Sequence, residues 1–551
     1  MVAEMAAAPR TAESYGEVFT HRWVVEVLLD LAGYESKLPL HALRLVEPSC
    51  GAGAFLLPAV ERLLRSFGRQ HLDRRVLAKA VAAWDIQQNN VDVCRAKVQK
   101  LLVERGYSSA DAKWLASRWI RCGDYLLADV DVKRDVDFVV GNPPYVRLED
   151  VPTEDQNRYR AHWHTMGGRA DLYVGFIEKG LRSLKDGGKL AFICADRWMR
   201  NQYGATLREM ISRSYSVDTV WTMHDVDAFE SSVAAYPAII VLSNSAQKSA
   251  VVADTNSEFG DDSAKRLAGW SLSGDLNATK GSGYSAYRLP HWFPGNEMWP
   301  SGSPERLALI ELLSDKFEPL HRPECGTRVG IGVATGADSV FITREEGGIE
   351  PDRLLKLAMV ADNRTGKFNW GGQYLVNPWA PDGTLVDLEK FPGMANYLHE
   401  HKAQLANRYI AKSAKKPWYQ TIDKINHSLI SQRKILIQDM RTSINPVLDS
   451  GGYYPHHNLY YVTSTSWDME VLGGLLLSAV AQAFVEAYCV RMRGNTLRFQ
   501  AQYLKKIRIP DPDDVPVGVK SELKKAFKSR DSARATEAAL AAYGISRNML
   551  G

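Results

Sequence analysis

Apolar runs that end in polar or glycine-rich turns alternate with helix-periodic stretches over the first 244 residues. The runs at 43–46, 80–83, 119–122 and 136–140 read as short buried strands, and the stretches following the first two, to residue 64 and over 87–102, read as helices. Strand and helix in alternation predict an α/β fold with a doubly wound, Rossmann-like sheet. A further strand is predicted at 238–242, and Ser, Asp, Gly and Lys then dominate 243–285, the composition of a connector. Past Trp299 the chain reads as ordered again, with a strand-like run at 339–343 and a polar helix pair or terminal cap at 519–543. The longest apolar stretch, 471–490, contains Gly473, Gly474, Gln482 and Glu486, which suits a buried helix better than a membrane span.

What terminates these strands changes the picture more than the strands themselves. The first runs into Glu47-Pro48-Ser49-Cys50-Gly51-Ala52-Gly53-Ala54-Phe55. Gly51 and Gly53 allow a tight turn against a ligand, but Phe55 stands where a phosphate turn rarely places a bulky ring, and Glu47 suits a cationic group. The second run ends at Asp85-Ile86; Asp85 is placed to accept both hydroxyls of a ribose, a role compatible with capping the next helix. Asp124 and Tyr125 follow the third run, with Asp124 facing an adenine amine and Ile86 packing on its ring. The fourth ends in Asn142-Pro143-Pro144-Tyr145. The Asn142 side-chain carbonyl and the Pro143 carbonyl are two acceptors beside the flat face of Tyr145, stiffened by the proline pair. That set suits the exocyclic amine of a planar heterocycle, adenine N6 first among them.

The ordered motifs resemble the TaqI-like, gamma-class adenine-N6 DNA methyltransferases. Residues 47–56 look like the family's S-adenosylmethionine motif, and Asn142 to Tyr145 match its catalytic motif. Residues 15–31 resemble its N-terminal helix, with Thr20 followed by His21 where the family often has proline. Residues 170–176 resemble a later motif that makes Phe176 a wall for the cofactor adenine, and 227–230 resemble one that makes Phe229 the partner of Tyr145 in stacking a flipped base. The resemblance implies a Rossmann-like catalytic domain over 1–244, a connector over 245–320, an α+β target-recognition domain over 321–510 and a helical tail over 511–551. It implies S-adenosylmethionine held by Thr20, Glu47, Ser49, Gly51, Gly53, Phe55, Asp85, Ile86, Asp124, Tyr125, Asn142 and Phe176. Double-stranded DNA is the implied substrate, and a separately encoded restriction endonuclease an implied partner, since no nuclease motif is visible and the methyltransferase signals begin near residue 15.

Composition narrows the reading. A net charge of +4 over 551 residues makes no polycation, so a DNA surface must be local. Basic, aromatic-interleaved stretches place Lys415, Lys416, Arg433, Lys434, Arg441, Arg493 and Arg498 as DNA contacts. Six scattered cysteines fit a reducing compartment, and the lack of a secretory pattern fits a soluble cytoplasmic protein. No metal site is expected, because the adjacent His456 and His457 point apart in extended chain. The glycine-rich run 330–336 lacks the Lys-Ser/Thr of a phosphate loop. Methylation of RNA or of protein glutamine, and a non-catalytic DNA-specificity subunit, are the alternatives.

Overall fold

The computed structural model describes residues 18–550 except 231–235, 275, 345–347, 413, 415 and 493–495, and the side chains of 490–492. The chain divides into two compact units, residues 1–300 and 301–551. The first is built on a sheet whose strands, in chain order, are β1 (Leu45–Glu47), β2 (Val81–Asp85), β3 (Ile120–Cys122), β4 (Val136–Gly141) and β5 (Leu184–Ala195), then β6 (Ser216–Thr222), β7 (Pro237–Ser243), β8 (Ala250–Thr255), β9 (Ala278–Gly281) and β10 (Tyr284–Leu289). Across the sheet they run β3-β2-β1-β4-β5-β7-β6-β8-β10-β9. The first five are mutually parallel. β1, β2 and β4 are buried at every position, which is why they read in the sequence as unbroken apolar runs.

Between β1 and β4 the strand order reverses direction, the place where an open α/β sheet offers a crevice beyond its carboxyl ends. Leu45 pairs with both Val81 and Phe138 in register, so Glu47, Asp85 and Asn142 emerge side by side at that edge. One apolar core buries the helices Arg22–Ala32, Leu56–Ser66, Gln88–Glu104 and Ser109–Trp119 against the strands.

The expected connector over 245–320 is corrected by the structure: β8, β9, β10 and the helix Asp261–Ser273 belong to the main sheet and its core, and the unit boundary falls at residue 300. The helix buries Leu267 with the small residues Ser263, Ala264 and Ala268, which leaves a single large apolar side chain on the buried face to read.

In the second unit, Thr327–Ile331, Leu459–Ser464, Lys434–Gln438 and Val447–Asp449 form an antiparallel sheet in that order. A second sheet joins Ile342–Thr343, Tyr374–Val376, Leu354–Ala358 and Tyr454–Pro455. The tail forms the helices Val517–Ser529 and Ser532–Tyr543, and the ring of Phe527 lies where a β-carbon on Gly473 would stand. The long apolar stretch becomes two largely buried helices, Met469–Leu476 and Ala479–Tyr488, bent by 60°. Among the described residues no single helix is long and apolar enough to cross a membrane.

Candidate active site

The carboxyl edge of β1, β2, β3 and β4 opens into a cleft of about 1150 Å³, its mouth included. Its lining holds Thr20, Glu47, Ser49, Gly51, Phe55, Asp85, Ile86, Asp124, Tyr125, Asn142, Pro144 and Phe176, so most of the residues singled out by sequence are brought together. Gly53 is not part of the lining; it has φ +95°, and a β-carbon there would press on Cys94 Sγ at 3.1 Å. Its part is to seat the turn on the helix Gln88–Glu104.

Asn142 is held in one orientation. Its Nδ2 donates to the Val18 carbonyl and to Thr20 Oγ1, both at 3.2 Å, and a carbonyl can only accept. Oδ1 is thereby turned away from these partners; it is buried and has none of its own. The loop behind it is fastened by Ser49 Oγ, which donates to the Asn142 carbonyl at 2.9 Å. The segment that pins Asn142 is itself paired: Thr20 bridges Phe229, Glu230 N donates to the Phe19 carbonyl at 2.9 Å, and His21 N donates to the Ala228 carbonyl at 3.1 Å.

Glu47 is 1% exposed and its Oε2 has no partner. Burial, with smaller contributions from Cys94 and Asp85, pushes its carboxyl well above the ordinary 4.5. Asp85, expected at a ribose, is already engaged within the fold. Its Oδ1 accepts from Gln87 N at 2.8 Å and Asn90 Nδ2 at 3.3 Å, and its Oδ2 from Gly51 N at 2.9 Å. A carboxylate has about four acceptor sites, so one further donor is accommodated. Burial raises its pKa despite the three amide donors that lower it.

On the other side, Asp124 Oδ2 accepts from Tyr159 OH at 2.5 Å. Tyr125 and Phe176 stand 5.3 Å apart at 34°, an aromatic wall facing Ile86, which is half exposed. Lys179, unforeseen from sequence, backs that wall: its Nζ donates to the Tyr125 carbonyl at 2.5 Å and lies 4.4 Å from the Tyr125 ring, and burial brings its pKa down to about 8. Tyr159 was also missed, because it is the one buried residue of a helix, Thr153–His162, with no apolar periodicity to announce it.

Tyr145 and Phe229 meet edge to face, 6.3 Å apart at 80°. A base stacked between parallel rings needs roughly 7 Å between them, two van der Waals contacts, so the expected sandwich requires one ring to turn. Tyr173 lies 6.4 Å from Tyr145, its OH donating to Asp171 Oδ2 at 2.8 Å.

Of the basic residues expected at DNA, Lys415 and Arg493 lie outside the described residues, while Lys416 and Arg433 are exposed. Lys434 is corrected: it is 0% exposed, 2.8 Å from Asp449, and its Nζ donates to the carbonyls of Leu429 and Gln432 at 3.0 and 2.9 Å. It neutralises a buried carboxylate and is closed to phosphate. Arg498 pairs with Asp439 at 3.5 Å, and Arg441 is half-buried.

Fold and site together define a Rossmann-like methyltransferase with a C-terminal α+β unit. Comparison with known proteins narrows this. Residues 79–229 match the Eco57I restriction-modification methylase family. Over 555 aligned residues the chain is 41% identical to the type II methyltransferase M.PaeR7I of Pseudomonas aeruginosa, covering all of this chain and 95% of that protein. It is 38% identical to M.XhoI of Xanthomonas vasicola, covering 96% and 97%. Among solved structures, the type IIL restriction-modification enzyme MmeI in complex with DNA shares the fold, with a TM-score of 0.60 at 14% identity over 95% of this chain and 74% of that one. The chain belongs to the type II DNA methyltransferases of restriction-modification systems. Its cofactor is S-adenosylmethionine, and the cleft fits it: a buried carboxylate with one unpartnered oxygen for a cationic end, and acidic and aromatic side chains for a nucleoside.

Proposed function

We propose that this protein methylates adenine N6 within a short sequence of double-stranded DNA, drawing the target base out of the duplex. The observation that carries the reading is the fixed amide of Asn142, whose unpartnered Oδ1 is an acceptor held ready for an N–H donor. An adenine amine is a weak nucleophile, because its lone pair is delocalised into the ring. Oδ1 accepts one N6 hydrogen and the Pro143 carbonyl the other, which draws the nitrogen towards tetrahedral geometry and frees the lone pair. As positive charge grows on N6, both acceptor dipoles stabilise it more than they stabilise the ground state. S-adenosylmethionine supplies the electrophilic methyl group. Glu47, Asp85, Asp124 and the Tyr125–Phe176 wall are the groups that would bind and orient it, with Thr20, Ser49, Gly51, Phe55 and Ile86 around them.

Flipping costs roughly a few kcal/mol. Stacking on Tyr145 and Phe229 returns about 1–3 kcal/mol per base, once one ring has turned from the edge-to-face arrangement. Lys416 and Arg433 are the exposed cations we assign to phosphate. The full-length relatives are named as methyltransferases, which supports a separately encoded nuclease as partner.

Incubation with unmethylated genomic DNA and S-adenosylmethionine, followed by modification-sensitive long-read sequencing, tests the proposal. N6-methyladenine confined to one motif is the expected result. A mark on cytosine N4 would keep the amine chemistry and overturn the base, and an unmarked genome treated with cofactor-competent protein would overturn both.

A further inference from the structure

In the C-terminal unit two backbone segments approach more closely than side chains permit. A β-carbon on Gly332 would lie 2.2 Å from the His456 carbonyl oxygen and 2.3 Å from that of Pro455. Through this gap Val333 N donates to the Pro455 carbonyl at 2.9 Å, and His457 N donates back to the Val333 carbonyl at 3.0 Å. The other flank is fixed by His456 N, which donates to the Ala358 carbonyl at 3.0 Å. The glycine run at 330–336 therefore seats the dipeptide His456-His457.

The two histidines do not point apart. The chain turns after His456, with Leu459 N donating to the His456 carbonyl at 2.8 Å, and the imidazole rings lie 4.0 Å apart. Extended alternation, the basis for expecting no metal here, does not hold at this pair. Asp338 completes the group: its Oδ2 is 3.0 Å from His456 Nε2. Thr335, wholly buried, orients that carboxylate by donating its hydroxyl to Oδ1 at 2.5 Å. One donor atom from each of Asp338, His456 and His457 lies within 4.8 Å of the others. His456 is 2% exposed, and Nδ1 of both histidines is buried without a partner.

We propose that Asp338, His456 and His457 form a binding site for a divalent transition-metal ion, with Zn²⁺ the best match. Two imidazoles and a carboxylate are donors this ion accepts, and bonds of about 2.0–2.1 Å in a tetrahedron place ligand atoms about 3.3 Å apart. The 3.0 Å between Asp338 Oδ2 and His456 Nε2 is already close to that spacing. The hydrogen on His456 Nε2 moves to Nδ1, so that the Nε2 lone pair meets the metal. His457 closes in as third ligand, and the fourth position falls to water on the side where Asp338 is exposed. Thr335 then plays the part of an outer-shell partner that holds a ligating carboxylate. The ion ties the 331–338 segment to the strand Tyr454–Pro455.

The test uses the full chain, stripped with a chelator and titrated with Co²⁺ as an optical stand-in. One equivalent should bind with visible d–d bands and no thiolate charge-transfer band, the signature that the exposed Cys122 or Cys325 would add. Zn²⁺ should displace it and raise the unfolding temperature. Asp338→Asn and His457→Gln should each weaken binding at least about tenfold, consistent with loss of a ligand, with the circular dichroism spectrum unchanged. Absence of stoichiometric binding overturns the proposal, as does binding that survives both substitutions or carries a thiolate band. Asp338 is an exposed side chain, so its variant keeps the test open even if the histidine variant fails to fold.

Discussion

Replacing Glu47 by glutamine separates the charge of this side chain from its shape. In the cofactor-free fold burial holds the carboxyl well above 4.5, so between 4.5 and the raised value the folded chain carries a proton that the unfolded chain has lost. Stability from this group is therefore full below 4.5 and is lost as pH rises through the folded value. Binding a cationic ligand against Oε2 runs the other way, because it requires the ionised form. Over the same window log affinity should climb by up to about one per pH unit, about 1.4 kcal/mol. Glu47→Gln should remove that share of the slope and leave the smaller share of Asp85, whose pKa is also raised by burial. At the alkaline end the variant should bind S-adenosylmethionine roughly 10- to 150-fold more weakly, the worth of a charge-assisted hydrogen bond at about 1.5–3 kcal/mol. There it should also melt higher than the parent, having no buried carboxylate to ionise. The assay is calorimetric titration with the cofactor from about pH 6 to 9, alongside thermal unfolding in the same buffers. Titration of the ligand itself is common to both proteins, so the difference in slope reports Glu47. Parallel slopes in parent and variant would refute the reasoning, and so would equal affinities.

Thr20→Val removes one of the two acceptors that fix the Asn142 amide; single-turnover methyl transfer should slow about fivefold, for a hydrogen bond worth about 1 kcal/mol. Cofactor affinity should fall by less than the transfer rate, and a loss confined to that affinity would contradict the positioning role. Asn142→Ala should lower transfer by about 10²–10³, the cost of one transition-state hydrogen-bond partner, while calorimetry still detects cofactor. Lys434→Met strands the buried Asp449 carboxylate and should cost about 3–5 kcal/mol in a denaturant titration, with no change in the salt dependence of DNA binding. Arg433→Gln should weaken binding to all DNA sequences alike and reduce the log–log salt slope by about 0.9; an unchanged slope would remove Arg433 from the interface.

Much of the strand-end cleft was readable because β1, β2 and β4 are buried on both faces and their polar ends stand out. Glu47, Asp85 and Asn142 close such runs, Asp124 follows the partly exposed β3, and the cleft gathers all four. What hid was whatever depends on a partner far along the chain. Asp85 spends most of its acceptor capacity on Gly51, Gln87 and Asn90, which its position at a strand tip did not reveal. Lys434 looked like one of several surface cations until its strand placed it opposite Asp449. The strands β8 and β10 hid within a segment whose turn residues outweigh its short apolar runs. The pairing of His456 with His457 rests on a turn and on Gly332, neither of which local alternation shows.

The short ladder between Thr20 and Phe229 joins positions more than two hundred residues apart, and on the proposed reading it links the cofactor segment to the base-stacking segment. Val18, Phe19 and Thr20 line the cofactor cleft, and Phe229 touches Tyr145 where the target base is proposed to stack. A ligand that settles the first segment also settles the second. Free-energy coupling of this kind is reciprocal: whatever factor S-adenosylmethionine adds to affinity for DNA, DNA must add to affinity for S-adenosylmethionine. If the target base is extruded onto Tyr145 as proposed, the base and the methyl donor should therefore each bind more tightly in the presence of the other.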